Sequence, residues 1–466
     1  MSPEEALADA EPRPYWLDQP GRPEPVEPLA GTAEADLVVV GGGFTGLWAA
    51  IQAKEDDPGR DVVVLESGRV AIGASGRNGG FLAASLTHGL ANGVAHFPDE
   101  VERLHQLGLD NFEVLLASLD RYGIDAAVER TGELTFATAP WQVPDLAEDA
   151  ELHSRFGAPV ELFDRAAAQR EVHSPTYHGA LWLREGTALV DPARLAWGLR
   201  RAALDLGVRL HEHSPVDALE GRGRRGPMRV RTAHGVVTAA RVLLATNAYR
   251  GLVAAIRARV VPVWDYVLMT EPLSPEQLAS VGWARRQGLA DAANQFHYYR
   301  RTADDRILWG GYDAIYFRGN GVGAELEQRE ETPRLLARQF FETFPQLDGL
   351  RFTHRWGGPI ATTTRFTMTA GTTHAGRVSH AVGYTGLGVG ASRFGARVAL
   401  DLLGDEPTEL TRLRFVRRPP VPFPPEPLRA VGIGLTRRAI AAADRHDGRR
   451  GPWLRLLDRF GVGFDS

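Results

Sequence analysis

The stretch from Leu37 to Glu66 constrains this chain most. Four apolar residues, Leu37-Val38-Val39-Val40, run into Gly41-Gly42-Gly43-Phe44-Thr45-Gly46, and a helical segment follows to Lys54. Asp57-Pro58-Gly59 turns the chain, and a second apolar run, Val62 to Leu65, ends at Glu66, 20 positions after Gly46. Strands that read as continuous apolar runs suit a parallel sheet covered on both faces. Gly41-x-Gly43-x-x-Gly46 between strand and helix is the pattern of a dinucleotide site. Gly41 permits the tight turn, Gly43 admits a pyrophosphate close to the backbone, and Gly46 lets the helix approach the sheet. The helix start offers free N–H groups and a positive dipole end to phosphates. Glu66 is spaced to accept from a ribose 2′-hydroxyl and disfavours a 2′-phosphate. The alternative is a glycine turn with a structural role only.

Composition narrows the chemistry. There is no cysteine, which removes disulfides, thiolate metal sites, iron–sulfur ligation and cysteinyl cofactor links. Lys54 is the single lysine, so lysine chemistry must use it or do without. A net charge of -5 gives no basic stripe for nucleic acid. No apolar run approaches the roughly 20 residues of a membrane span. The acidic N-terminus lacks the features of a signal peptide, so a cytoplasmic address is expected. His211 and His213 alternate on a strand and read as exposed, and no metal site is expected.

The 466 residues allow two or three domains. Residues 1–35 read as an extended proline-rich arm, with Tyr15 and Trp16 as anchors. A helical stripe runs from Pro98 to Tyr122. Asp191-Pro192 starts another helix, with a capping side chain and proline in its first turn, and Gly207 ends it. Residues 262–318 carry antiparallel signals: Tyr266–Thr270, His297–Arg300, a turn at 302–306, then Ile307-Leu308-Trp309. Helices follow over Thr332–Phe344 and Arg393–Leu403. The tail is proline-rich, then helical around Thr436–Asp444 and Trp453–Phe460. Arg222, Arg224 and Arg225 read as a solvated hairpin tip.

The next glycine-rich run is Gly73-Ala74-Ser75-Gly76-Arg77-Asn78-Gly79-Gly80, whose glycines suit backbone passing close to a flat ligand. Later come Trp356-Gly357-Gly358 and Gly383-Tyr384-Thr385-Gly386-Leu387-Gly388-Val389. In these words, in this order, the chain resembles the D-amino-acid-oxidase-like FAD-dependent oxidoreductases, and within them the gamma-glutamylputrescine oxidase type. Weaker matches are Val190-Asp191-Pro192, Ala245-Thr246-Asn247-Ala248 and Thr270-Glu271-Pro272-Leu273. The resemblance covers about residues 15–405.

It implies an α/β fold (α+β overall), with a Rossmann-like FAD-binding domain interleaved with an antiparallel-sheet substrate domain. The FAD-binding domain takes 36–97, 185–260 and 350–405, the substrate domain 98–184 and 261–349, and the tail 406–466. FAD would meet Gly41, Gly43, Phe44, Thr45 and Gly46 at the first turn, Glu66 at the ribose and Ser75 near the pyrophosphate. Val216 would meet adenine through its backbone, and Ala245 and Thr246 would border the site. Arg77, Asn78, Gly79 and Gly80 would lie toward the flavin ring. Tyr384, Gly386, Leu387, Gly388 and Val389 would lie at its pyrimidine end. Some relatives hold FAD through cysteine or histidine. Cysteine is absent, and no histidine falls in 73–80, so noncovalent FAD is expected.

The implied reaction oxidises a C–N bond. A neutral small-molecule amine passes hydride to flavin N5, and the imine hydrolyses. Oxygen or another acceptor then reoxidises the flavin. Tyr266, Tyr298, Trp356 and His88 are candidate pocket residues, each with core or loop packing as its alternative. Arg365 is a possible anion contact; an arginine fork there would favour an amino acid over an amine. Amino-acid oxidation, flavin monooxygenation and a flavoprotein with a binding role stay open as other readings. Lys54, at the end of the first helix, is remote from the expected ring, which argues against lysine-assisted oxygen chemistry.

Overall fold

The structure is a computed structural model, and it describes residues 1–221, 226–249 and 251–459. The arginines expected at the 222–225 hairpin tip lie outside the described residues. Two eight-stranded sheets organise the chain. In the first, Gly31–Val40 lies between Val62–Leu65 and Gly235–Leu244, parallel to both. Arg209–His211 and Val378–Val382 extend it, again parallel. Its central strands are buried where they run toward the glycine turn, with Val38, Val39, Val63 and Val64 at 0% exposure. Such strands need cover on both faces: the helices Phe44–Asp56, Pro192–Asp205 and Gly388–Asp401 pack on the face carrying Val39 and Val64, while Val216, Met228, Val230, Val253 and Ile256 pack on the face carrying Val38 and Val63.

The local physics of these helices follows the sequence. The Asp191 carboxylate accepts from the Ala193 and Arg194 N–H groups, 3.0 Å each, with Pro192 in the first turn. Gly207 adopts a φ of +83° just past the end, where a side chain would be strained. The helix Val101–Arg121 buries Leu104, Phe112, Leu115 and Leu119 on one stripe. Gly388–Asp401 begins five residues before the expected Arg393. Its first turn holds Gly388 and Gly390, and Gly390 is there because a Cβ would lie 2.2 Å from the Ala83 carbonyl oxygen.

The second sheet runs Phe352–Thr362, Val261–Thr270, Ile307–Gly311, His297–Arg301, Gly288–Asp291, Glu133–Ala137, Gly179–Leu183, Val160–Phe163. It is antiparallel as expected, except that Gly288–Asp291 pairs parallel with Glu133–Ala137. Phe352–Thr362, which the sequence grouped with the cofactor-binding segments, is an edge strand of this sheet. Its register against Val261–Thr270 runs from Phe352 to Thr362.

The arm and the tail close the molecule. Trp16 is 2% exposed and donates through Nε1 to the Asn78 carbonyl, while Tyr15 donates to Asp304. The tail forms the helices Leu428–Arg445 and Pro452–Arg459. The first starts eight residues before the expected Thr436, through Gly432 and Gly434, which weaken its sequence signal.

Candidate active site

The glycine turn sits where strand meets helix, and its spacing is steric. Gly41 has a φ of +111°, and a Cβ there would lie 2.6 Å from the Ala245 carbonyl oxygen. A Cβ on Gly46 would lie 1.9 Å from the Gly41 carbonyl oxygen, so only glycine lets the helix sit this close. A Cβ on Gly43 would press on Ser75 Oγ at 2.9 Å, and the Phe44 N–H donates to that same oxygen at 3.0 Å. Ser75 therefore caps the helix start, at the place a phosphate would take.

Glu66 is 8% exposed and faces the turn. It accepts from the Gly42 N–H at 2.6 Å, the Gly68 N–H at 2.9 Å and Ser67 Oγ at 3.0 Å. A carboxylate offers about four lone-pair sites, so one stays open for a ribose hydroxyl. Ser214 N–H donates to the Glu66 carbonyl at 2.7 Å, which brings Val216 to the same end.

These groups line one cavity of about 2350 Å³. A single small-ligand pocket takes roughly 300–1,000 Å³, so a dinucleotide and a substrate both have room. Its wall includes Gly41, Gly43, Phe44, Thr45, Glu66, Ser75 and Val216. Ala245, Thr246, Tyr384, Gly386, Leu387, Gly388 and Val389 also border it. Thr45 Oγ1 donates to the Tyr384 hydroxyl at 2.9 Å, tying the two helix starts together. The cradle, the acid and the two helix N-termini fit an extended dinucleotide.

The glycine-rich loop at 73–80 is braced from behind. Asn78 and Gly79 line the cavity. Asn78 Nδ2 donates to the Ala74 and Ser75 carbonyls, and its Oδ1 accepts from the Gly80 N–H. Gly80 packs against the Val190 carbonyl, where a Cβ would stand 2.2 Å away. Arg77 lines the wall, but its guanidinium is engaged elsewhere. It pairs with Glu327 at 2.8 Å and donates to the Gly357 and Ile72 carbonyls at 3.0 and 2.8 Å.

The pocket candidates separate by strand alternation. Tyr298 lines the cavity, with its ring seated on Gly79, where a Cβ would lie 2.7 Å from Cε2. Its hydroxyl donates to Asp265. Successive strand residues face opposite sides, so Asp265 turns to the cavity and Tyr266 turns away. Tyr266 is 1% exposed and donates to the Leu326 carbonyl at 2.7 Å, in the core rather than on the cavity wall. Trp356 is also core: it is 1% exposed and donates to the Arg77 carbonyl at 2.8 Å. Arg365 points away too. It donates to the Arg418 carbonyl at 2.6 Å and lies over the Phe97 ring, so it ties the tail down and makes no anion contact in the cavity. Lys54 donates to the Pro58 and Arg60 carbonyls and so holds the turn that follows its helix.

His88 lines the cavity beside Phe366. Burial holds its pKa down, to about 4, so the ring is neutral, and Nδ1 has no partner among the described residues. Asp265 is the residue that sequence reasoning missed. Burial pushes its carboxyl up to about 6, against hydrogen bonds from Tyr298 and the Tyr266 and Gly311 N–H groups. The available signal was a lone acid inside the apolar run Val263-Trp264-Asp265-Tyr266-Val267. The tail's part in the wall was also missed: Val421, Phe423, Leu428, Val431 and Leu435 line the cavity. Asp444 accepts from the Asn294 N–H and side-chain amide and from the Gln295 N–H, holding the loop that leads to Tyr298. His211 and His213 hold no metal cluster; among the described residues no such cluster occurs. No helix among them is long and apolar enough to cross a membrane.

The chain is similar to known proteins in sequence and in fold. The gamma-glutamylputrescine oxidoreductase of Escherichia coli (strain K12) is 33% identical over 414 residues, covering 88% of this chain and 92% of that protein. A probable oxidoreductase, OrdL, of Haemophilus influenzae is 30% identical over 410 residues, covering 84% and 89%. Among solved structures, glycine oxidase from Geobacillus kaustophilus superposes with a TM-score of 0.70 at 18% identity, over 84% of this chain and all of that one. L-proline dehydrogenase from P. horikoshii gives 0.66 at 20% identity, over 81% and 96%. These two likenesses show the fold alone. The family model described as DAO, FAD dependent oxidoreductase, matches residues 36–402. With the glycine cradle, Glu66 and the paired helix starts in place, the chain belongs to the DAO family of FAD-dependent oxidoreductases.

Proposed function

We propose that this enzyme oxidises a C–N bond of a small-molecule amine, using noncovalent FAD, and releases the imine for hydrolysis to a carbonyl compound and an amine. The observation that carries the reading is continuity. The glycine cradle and the chamber bounded by Tyr298 and Asp265 are one cavity, with Tyr298 resting on the Gly79 backbone. When bound, FAD supplies a two-electron acceptor for the substrate C–H bond. The chain's residues do the rest. The Phe44–Asp56 helix start and Ser75 take the pyrophosphate, Glu66 takes the ribose, and the Gly388–Asp401 helix start favours negative charge at the pyrimidine end.

An amine is favoured over an α-amino acid because Arg365 is committed to the tail and offers no fork to a carboxylate in the cavity. The name of the Escherichia coli relative, gamma-glutamylputrescine oxidoreductase, supports an amine-bearing substrate. Noncovalent binding is favoured by the absence of cysteine. Lys54 is fixed at a helix end outside the cavity wall, so reoxidation uses another group or another acceptor than lysine-activated oxygen.

The test is anaerobic reduction of the FAD-saturated protein by a panel of polyamines, N-methyl amines and amino acids. Loss of the visible flavin bands with amines is the expected result. Reduction by amino acids alone overturns the amine assignment. Acid precipitation is expected to leave the colour in the supernatant, and readmitted air separates oxidase from dehydrogenase.

A further inference from the structure

The acids around Tyr298 differ in one respect. Asp291 is hydrogen-bonded to His297 Nδ1 at 2.6 Å, Asp313 pairs with Arg437 at 2.9 Å, and Glu327 pairs with Arg77 at 2.8 Å. Asp265 lines the same cavity and has no cation within salt-bridge distance among the described residues. Its hydrogen bonds all come from neutral donors, the Tyr298 hydroxyl and the Tyr266 and Gly311 N–H groups, the last at 3.1 Å, and the nearby His297 acts on it only through space. The residue opposite it on the neighbouring strand is Gly358, which brings no side chain. His297, next to Tyr298, is turned to Asp291 and Gln339. A buried carboxylate is costly unless it is paired, so the arrangement is incomplete without a positive group.

We propose that Asp265 is the counter-ion for the cationic nitrogen of the substrate, held in place by Tyr298. This rests on the amine reading above and names the group that recognises the amine. Both partners meet in a desolvated wall, where burial raises an acid and lowers an ammonium toward one another. One N–H proton passes from the ammonium to the carboxylate. That leaves a neutral acid and the neutral amine that C–H oxidation requires, with no change in net charge. Tyr298 is a positioning residue: it holds the carboxylate and seats it one side chain from the Gly79 backbone.

The test uses tert-butylammonium, which has the charge and N–H groups of a substrate but no oxidisable C–H bond beside nitrogen. Its neutral counterpart is tert-butanol. Binding to the FAD-loaded protein is measured by calorimetry. Wild type is expected to bind the cation at least tenfold tighter than the alcohol at pH 8, and to lose that preference as the pH falls through about 6. Asp265→Asn is expected to remove the preference and its pH dependence while retaining FAD, read at 450 nm. Tyr298→Phe keeps the carboxylate and is expected to keep most of the preference, with the pH transition moved upward by loss of the hydrogen bond. Glu133, a second buried carboxyl in the cavity pushed up to about 7, is the internal comparison, and Glu133→Gln is expected to leave the preference intact. A preference that survives Asp265→Asn, or that disappears with Glu133→Gln instead, overturns the proposal. Either result leaves amine oxidation itself to stand or fall on flavin reduction by the panel.

Discussion

Replacing Arg77 by methionine tests whether this arginine is a strut or a flavin contact. Its guanidinium is 8% exposed and holds Glu327, itself 27% exposed, together with two backbone carbonyls. Breaking a buried pair by removing one partner costs about 3–5 kcal/mol. Partial exposure of Glu327 places the loss near the lower end, about 3 kcal/mol after solvent screening. Glu327→Gln alone leaves Arg77 its two carbonyls and is expected to cost about 1 kcal/mol. The double variant should then fall short of the summed single losses by about 1 kcal/mol or more, because the pair is lost once. Denaturant unfolding of the holoprotein at fixed FAD measures all four corners. At roughly 2 cal/mol/K per residue, a chain of this length loses only about 1 °C of Tm per kcal/mol, so denaturant midpoints are the sharper readout. Additivity within about 0.5 kcal/mol, with Arg77→Met abolishing FAD binding at unchanged stability, would refute the strut and return Arg77 to the flavin.

Gly46→Ala places a Cβ 1.9 Å from the Gly41 carbonyl oxygen, and overpacking of about 1–3 kcal/mol is expected to weaken FAD retention at least tenfold in equilibrium dialysis. Asp444→Ala removes the acceptor of three hydrogen bonds from the Asn294–Gln295 loop; a loss of about 1–2 kcal/mol in loop docking should appear as a roughly five- to thirtyfold rise in KM at preserved FAD content. His88 titrates near 6.5 when unfolded and near 4 when folded. The unfolded chain therefore binds more protons in that window, and stability falls as pH drops from about 6.5 to 4, by about 3 kcal/mol in all. His88→Asn, which tolerates the φ of +58° there, should show a shallower loss over the same pH range; an identical acid profile would mean that His88 is not held neutral.

The parts of this molecule legible in its sequence are those decided by neighbours along the chain. Gly41, Gly46 and Glu66 announce themselves because turn, helix approach and acid all fall within one strand–helix–strand unit. Asp191-Pro192 does the same for its helix. What the sequence left ambiguous is which face a side chain takes. Tyr266 and Asp265 are adjacent, and only pairing with Phe352–Thr362 and Ile307–Gly311 decides that the acid faces the cavity. Trp356 sits in a glycine word that suggests a ligand, yet its indole is used to hold the Arg77 carbonyl. Arg365 and Arg77 show the same limit: a guanidinium's partners, here residues 418 and 327, lie far along the chain.

The roof of the chamber comes from residues that leave the ribosome after both sheets. Val421 to Leu435 line the cavity, and Asp444 clamps a loop 150 positions earlier. The stretch up to Leu413 already carries the glycine turn, Glu66, Asp265 and Tyr298. It lacks the cover that keeps water from a reacting amine. Cradle and cover are therefore built by separate stretches of chain, and the cover comes second in the sequence.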